Sequence, residues 1–344
     1  NFLIMVLFPA TKVQKKMHIY KKNGVFFAFK GIFCLKTFIF PIIIVPLHDF
    51  FAEKVYPTHI MQIITTKTEL SRQVSACLRQ KKTIGFVPTM GALHAGHASL
   101  IKQACSENEV CFVSVFVNPT QFNNAEDLEK YPRNLDKDAE LLASLGVHFL
   151  FAPTPEEMYS EEEMKMTFSF DFNGLDEVME GKMRPGHFNG VVQVVSRLFE
   201  LVRPTRAYFG EKDFQQLAII RHMVERSSMA EQFSGLQIIG CPIVREASGL
   251  AMSSRNERLS AEEKAIAVNI SKTLISSLKW AKNANVKEVE QRVIDTINAV
   301  DGLTVEYYEI VDKTTLQPTN TWENAVGCIT VYCGPVRLID NIQY

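Results

Sequence analysis

Thr83-Ile84-Gly85-Phe86-Val87-Pro88-Thr89-Met90-Gly91-Ala92-Leu93-His94-Ala95-Gly96-His97 is the stretch on which the fold turns. It begins as a short apolar run, passes through a turn rich in glycine and histidine, and opens a helical pattern from about Gly96 to Glu107. The order is strand, loop, helix. Downstream, Val110 to Val117 is nearly all apolar and ends at Asn118-Pro119, which breaks any helix. Leu135 to Leu145 has helical spacing, Gly146 stops it, and Val147 to Phe151 reads as the next strand, closed by Pro153 and Pro155. A helix over Gly190 to Val202, a strand over Ala207 to Phe209 and a helix over Phe214 to Arg226 continue the alternation. This pattern predicts an α/β protein built on a Rossmann-like, doubly wound parallel sheet.

The pattern changes beyond the strand-like Gln237 to Val244. Helical stretches over Ala261 to Ala281 and Val286 to Val300 precede strand-like runs at Val305 to Val311 and Cys328 to Cys333, the last two expected to be antiparallel. A domain boundary is therefore expected near residue 240, dividing 61–240 from a smaller α+β domain over 241–344. Residues 1–60 differ from both: they are rich in Phe, Ile and Lys and carry no acidic group before Asp49. Val25 to Leu47 is mostly apolar, but Lys30 and Lys36 interrupt it. The unbroken part, Thr37 to Leu47, contains Pro41 and Pro46 and is far shorter than the roughly 20 residues of a spanning helix. No membrane association is expected, and the shift in composition predicts that translation starts at Met61, leaving 1–60 as an untranslated extension.

Lys and Arg number 37 against 38 Asp and Glu, so no global field would hold the 344-residue chain on nucleic acid; a polyanionic ligand must be gripped locally. Seven cysteines, at 34, 77, 105, 111, 241, 328 and 333, form no C-x-x-C pair, which fits a reducing compartment and a cytoplasmic location. None is assigned a metal or nucleophilic role.

Three segments carry the chemistry. The loop Met90 to His97 lies between the first strand and first helix, where ligands collect in an open parallel sheet. His94 and His97, three apart, are expected to face one side beside helix N-terminal amides, and glycines at 91 and 96 let backbone approach a nucleotide. Imidazoles there donate to phosphoryl oxygens as charge builds, or serve simply as caps; a zinc pair lacks a third ligand of convincing spacing. The second segment is Gly210-Glu211-Lys212-Asp213-Phe214-Gln215-Gln216, again between strand and helix. Lys212 is placed to neutralise phosphate, and Asp213 either helps hold Mg²⁺ through water or, with Gln216, forms a capping box. In the third, Met252-Ser253-Ser254-Arg255, two hydroxyls and a guanidinium are grouped to hold β- and γ-phosphates, or form a plain polar turn.

The His-Ala-Gly-His run resembles the signature of the nucleotidyltransferase superfamily that includes class I aminoacyl-tRNA synthetases, and Met252 to Arg255 is similar to its mobile loop, with Arg255 where lysine is common. With Phe116 to Phe122, Tyr131-Pro132-Arg133, Arg184 to Val191 and Gly210 to Gln216 added, Met61 to Tyr344 resembles the pantothenate synthetase family. The resemblance implies a ligase that condenses pantoate with β-alanine through a pantoyl-adenylate, releasing AMP and diphosphate, with Mg²⁺ accompanying ATP. It makes 61–240 the catalytic domain, 241–344 its cover and the protein a homodimer. It implies ATP contacts at Met90, Gly91, Ala92, Leu93, His94, Ala95, Gly96, His97, Gly210, Glu211, Lys212, Asp213, Val244, Met252, Ser253, Ser254 and Arg255. Catalytic roles fall to His94, His97, Lys212 and Arg255. The family's proton-donor histidine matches His97, whose alternative role is to hydrogen-bond phosphate. Gln121 is implied in pantoate and β-alanine binding, Gln216 in pantoate binding, overriding its capping role. The polar stretch Asn123 to Arg133 reads either as a cover over the intermediate or as a surface loop. The alternative enzyme adenylylates another small acid; neutral amides at Gln121 and Gln216 argue against a phosphate ester.

Overall fold

The structure is a computed structural model that describes residues 4–7, 15–22, 25–32, 44–46, 61–122, 128–129, 131–166 and 168–344. The chain divides into two compact units, 1–58 and 59–344. In the first, β1 (Ile4–Leu7), β2 (Lys15–Lys22), β3 (Val25–Ile32) and β4 (Ile44–Pro46) form an antiparallel sheet in that order. No helix among the described residues is long and apolar enough to cross a membrane.

The second unit contains the parallel sheet. Its strands are β5 (Gln62–Ile64), β6 (Ile84–Thr89), β7 (Val110–Val115), β8 (Phe149–Phe151), β9 (Arg206–Gly210) and β10 (Gln237–Cys241), in the spatial order β10-β9-β6-β7-β8-β5. Every pairing is parallel, with Phe86 opposite Phe112 and Ile239 opposite Tyr208. From β6 the chain winds outward through β7 and β8, then returns to place β9 on the other side of β6. That reversal opens a crevice at the carboxyl ends of β6 and β9, the place where open α/β sheets bind ligands.

The helices follow from their sequences. Leu70, Val74 and Cys77, spaced four and three apart, are the buried stripe of α1 (Lys67–Arg79), whose first turn is capped by Thr66. α2 (Ala95–Glu107) follows β6, and α3 (Leu135–Ser144) precedes β8. α4 (His187–Val202) is buried over most of its length, and Phe199 meets Phe86 edge-on with ring centroids 6.3 Å apart. α5 (Phe214–Glu225) follows β9. Phe86 and Phe199, almost wholly buried, each contribute roughly 1.5–3 kcal/mol by leaving water.

Beyond β10, α6 (Ala261–Trp280) and α7 (Val286–Asn298) begin at reciprocal capping boxes, Ser260 with Glu263 and Asn285 with Glu288. They pack on an antiparallel sheet of β11 (Leu303–Asp312), β12 (Ala325–Cys333) and β13 (Val336–Gln343). The sequence reading ran the second strand to Val117, whereas β7 ends at Val115, and it missed β5, α1 and β13. β5 has only three residues, and β13 carries Asp340 and Asn341 in its interior, which weakens its apolar signal.

Candidate active site

The turn joining β6 to α2 is shaped by two successive left-handed residues, Gly91 (φ 82°) and Ala92 (φ 51°). Asp138 on α3 compensates: its carboxylate, 3% exposed, accepts the Ala92 N–H at 3.0 Å and the Leu93 N–H at 2.8 Å. A Cβ on Gly91 would lie 2.9 Å from the same carboxylate, a second reason for glycine there.

His94 is the N-cap of α2 and His97 its third residue. Nδ1 of His94 accepts the Gly96 N–H at 3.1 Å, and Nδ1 of His97 accepts the His94 N–H at 3.3 Å. The rings lie 4.1 Å apart, and a Cβ on residue 96 would strike the His94 ring at 2.8 Å. The capping and phosphate-binding readings are therefore compatible. Because each Nδ1 accepts, each neutral ring must carry its proton on Nε2, which remains available as a donor. Burial, then the neighbouring His94 ring and Lys212, push the His97 pKa down to about 3. Burial and Lys212 also lower that of His94.

Lys212 and Asp213 sit on the turn from β9 into α5, with Nζ of Lys212 3.7 Å from the Asp213 carboxylate. Asp213 occupies the N-cap position of α5 but makes no side-chain capping bond. The capping box read from Asp213 and Gln216 is therefore not formed, because the Asp213 carboxylate turns to the ammonium. The third segment closes a hairpin in which Met252 N–H donates to the Val244 carbonyl at 2.9 Å, and Ser253 Oγ accepts the Arg255 N–H at 3.3 Å.

These segments converge on one cavity of about 190 Å³. Of the residues singled out in the sequence, Met90, His94, Gly96, His97, Gly210, Lys212, Asp213, Gln216, Val244, Met252, Ser253, Ser254 and Arg255 line it. Gly91, Ala92, Leu93, Ala95 and Glu211 do not; they belong to the same turns without facing the cavity. Gln121 also lies outside this lining, but its Nε2 is 3.0 Å from the Met90 sulfur, and Met90 does line the cavity. A second volume beyond Lys212, Gln216 and Arg255 is walled by Glu180, Arg184, His187 and Arg337. His187 donates from Nδ1 to the Gln121 carbonyl at 2.8 Å, and its Nε2 accepts from Arg184 at 3.1 Å. Burial and Arg184 push its pKa down to about 4. A larger cleft of about 770 Å³, near Arg221 and Lys313, shares none of the first cavity's lining.

Several site residues escaped the sequence reading. Asp138 left one signal: it lies on the helical stripe between Leu135 and Leu142, where a carboxylate is out of place unless it has a buried partner. Tyr131, quoted in the sequence for the family resemblance but given no site role of its own, lines the cavity, with burial raising its phenol pKa against a hydrogen bond to Ser254. The expected cover, 123–133, lies in part outside the described residues; in its described end, Arg133 donates to the Leu128 carbonyl at 2.8 Å. Among the described residues no group of three His, Cys, Asp or Glu converges as a metal site, and the six described cysteines are free.

Known proteins share this sequence and fold. The family model described as pantoate-beta-alanine ligase matches residues 62–343. The chain is 59% identical to the pantothenate synthetase of Phocaeicola vulgatus, across 83% of this chain and 99% of that protein. It is 46% identical to that of Flavobacterium psychrophilum, across 82% and 99%. Among solved structures, a pantothenate synthetase from Thermus thermophilus superposes with a TM-score of 0.75 at 41% identity, covering 82% of this chain and 99% of that one. A pantoate-beta-alanine ligase from Francisella tularensis, complexed with beta-gamma ATP and beta-alanine, superposes with a TM-score of 0.68 at 37% identity, covering 83% and 98%.

Proposed function

The chain belongs to the pantoate-beta-alanine ligase family, and on that premise we propose how its residues divide the work. It is an ATP-dependent ligase that joins pantoate to β-alanine by an amide bond. The observation carrying the division of roles is the convergence of two neutral imidazoles, one ammonium and a hydroxyl-guanidinium hairpin on a single cavity at the switch point of the sheet.

The pantoate carboxylate attacks the α-phosphorus of ATP, the bond to the β-phosphate breaks, and diphosphate leaves. Lys212 neutralises charge on the phosphates, while Ser253, Ser254 and Arg255 hold the β- and γ-groups and stabilise departing diphosphate. His94 and His97 donate from Nε2 to phosphoryl oxygens. Burial holds His97 neutral in the free site, which favours a hydrogen bond from Nε2 to phosphate over transfer of a proton. Gln121 and Gln216 orient pantoate through neutral amides, and Gln121 also borders β-alanine. The amine then attacks the adenylate carbonyl and expels AMP. Magnesium enters with ATP as part of the substrate; Asp213, with 48% of its side chain exposed beside Lys212, suits an outer contact through water. Residues from 241 onward act as the cover. The homodimer and the cytoplasmic location are both proposed from the family.

Incubating the full chain with ATP, Mg²⁺, pantoate and β-alanine tests the reading. AMP and pantothenate should appear together, and omitting pantoate should abolish AMP. AMP formation independent of pantoate overturns it.

A further inference from the structure

We propose that Asp340 and Asn341, adjacent on the last strand, are positioning residues that fix two of the phosphate-handling segments in register with each other. Both are buried, at 5% and 3% exposure, in the interior of β13. Neighbouring residues on a strand project to opposite faces, so each serves a different partner.

The Asn341 amide donates from Nδ2 to two consecutive carbonyls, Glu211 at 2.8 Å and Lys212 at 3.0 Å. These belong to the turn that presents the Lys212 ammonium. The Asp340 carboxylate takes a bidentate pair from Arg245, at 2.6 and 3.0 Å, and also accepts the Asn341 N–H at 2.8 Å. Arg245 in turn reaches the Gly249 carbonyl at 3.3 Å and forms an antiparallel bridge with Ala251. It thus stands at the base of the hairpin that carries Ser253 and Arg255. β13 is anchored by pairing with β12, Asp340 opposite Ile329 and Asn341 opposite Cys328. One dipeptide on a fixed strand therefore holds the backbone beneath the ammonium and the root of the hydroxyl-guanidinium loop. A side-chain amide has the right valence, since its NH₂ carries two protons and so serves both carbonyls of the turn.

This inference rests on the reading that Lys212 faces the triphosphate. Displacing a reacting or charge-stabilising group by about 1 Å costs on the order of a hundredfold. Asn341→Ala should therefore lower single-turnover pantoyl-adenylate formation by about tenfold to a hundredfold at saturating ATP. In a Lys212→Met background the same substitution should have almost no further effect, because Asn341 acts through the ammonium. A role in general stability would reduce the rate by equal factors in both backgrounds, and that result overturns the proposal, as does full activity of Asn341→Ala. If the alanine variant does not fold, Asn341→Ser retains one donor and should give a smaller loss, again only when Lys212 is present; wild-type activity for it overturns the proposal. Absence of pantoate-dependent AMP from the unsubstituted chain would instead defeat the underlying reading, so the two failures are distinguishable.

Discussion

The backbone N–H of His94 donates to Nδ1 of His97 across 3.3 Å, so the second histidine caps the first while both face the cavity. One hydrogen bond thereby sets the helix start, the tautomer and the direction of the remaining ring proton.

His97→Asn separates these roles. The asparagine oxygen stands near the position of Nδ1 and preserves the cap, whereas the Nε2–H is lost. Unfolding free energy should change by less than about 1 kcal/mol, while adenylate formation should fall by about 10²–10³-fold. Denaturant titration and single-turnover quench-flow read the two effects. An active variant would remove the ring proton from the mechanism.

Asp138→Asn leaves one acceptor for two backbone donors and turns an NH₂ group toward an N–H. The expected loss is about 1–3 kcal/mol of stability. KM for ATP should also rise, because the left-handed turn at Gly91 and Ala92 loses its anchor. A melting curve and ATP dependence matching the wild type would show that the turn holds its shape unaided.

Of the histidines that fold in the neutral state, two are shifted furthest. His97 and His187 have pKa values pushed from the ordinary 6.5 to about 3 and about 4. As pH falls below 6.5 the unfolded chain takes up these protons first, so their contribution is complete above that pH and is lost progressively toward the folded values. Urea midpoints should decline between about pH 7 and pH 5, before most carboxyls titrate. His187→Gln should flatten part of that slope, and an unchanged slope would relocate the titration.

Glu180 is pushed up by burial yet held at about 2, because Arg337, Tyr307 and Arg184 outweigh the desolvation. Arg337 grips it at 2.7 and 2.8 Å. Arg337→Ala leaves this buried carboxylate with only Tyr307, Thr330 and the more distant Arg184 and should cost up to about 3–5 kcal/mol, whereas the double variant with Glu180→Gln should recover much of the loss. Thermal or urea unfolding of the three variants measures both effects. A double variant as unstable as the single would place the damage elsewhere in the Arg337 contacts, with Glu306 the next partner.

Much of the fold was legible because its signals are short-range. Alternating apolar runs, the Gly-His turn and the Asn-Pro break each act within a few residues. Boundaries shifted only slightly: α4 begins at His187 where periodicity suggested Gly190, and α6 ends at Trp280. The candidate site was legible in its donors but not in their supports. Asp138 lies 46 residues from Ala92, and Asn341 lies 129 residues from Lys212. Neither spacing leaves any periodic trace.

Hydrophobic period and turn chemistry are local properties, so the order of amino acids was enough to specify most of the elements, though not β5, α1 or β13, and that His94, His97, Lys212 and Ser253 to Arg255 stand at the turns and helix starts between them. Their meeting in one cavity, the ring nitrogens that keep their protons, and the distant carboxylate and amide that hold the turns were settled by tertiary structure alone. Those outcomes depend on hydrogen bonds between segments brought together by burial, and such partners are chosen by geometry after the chain has folded.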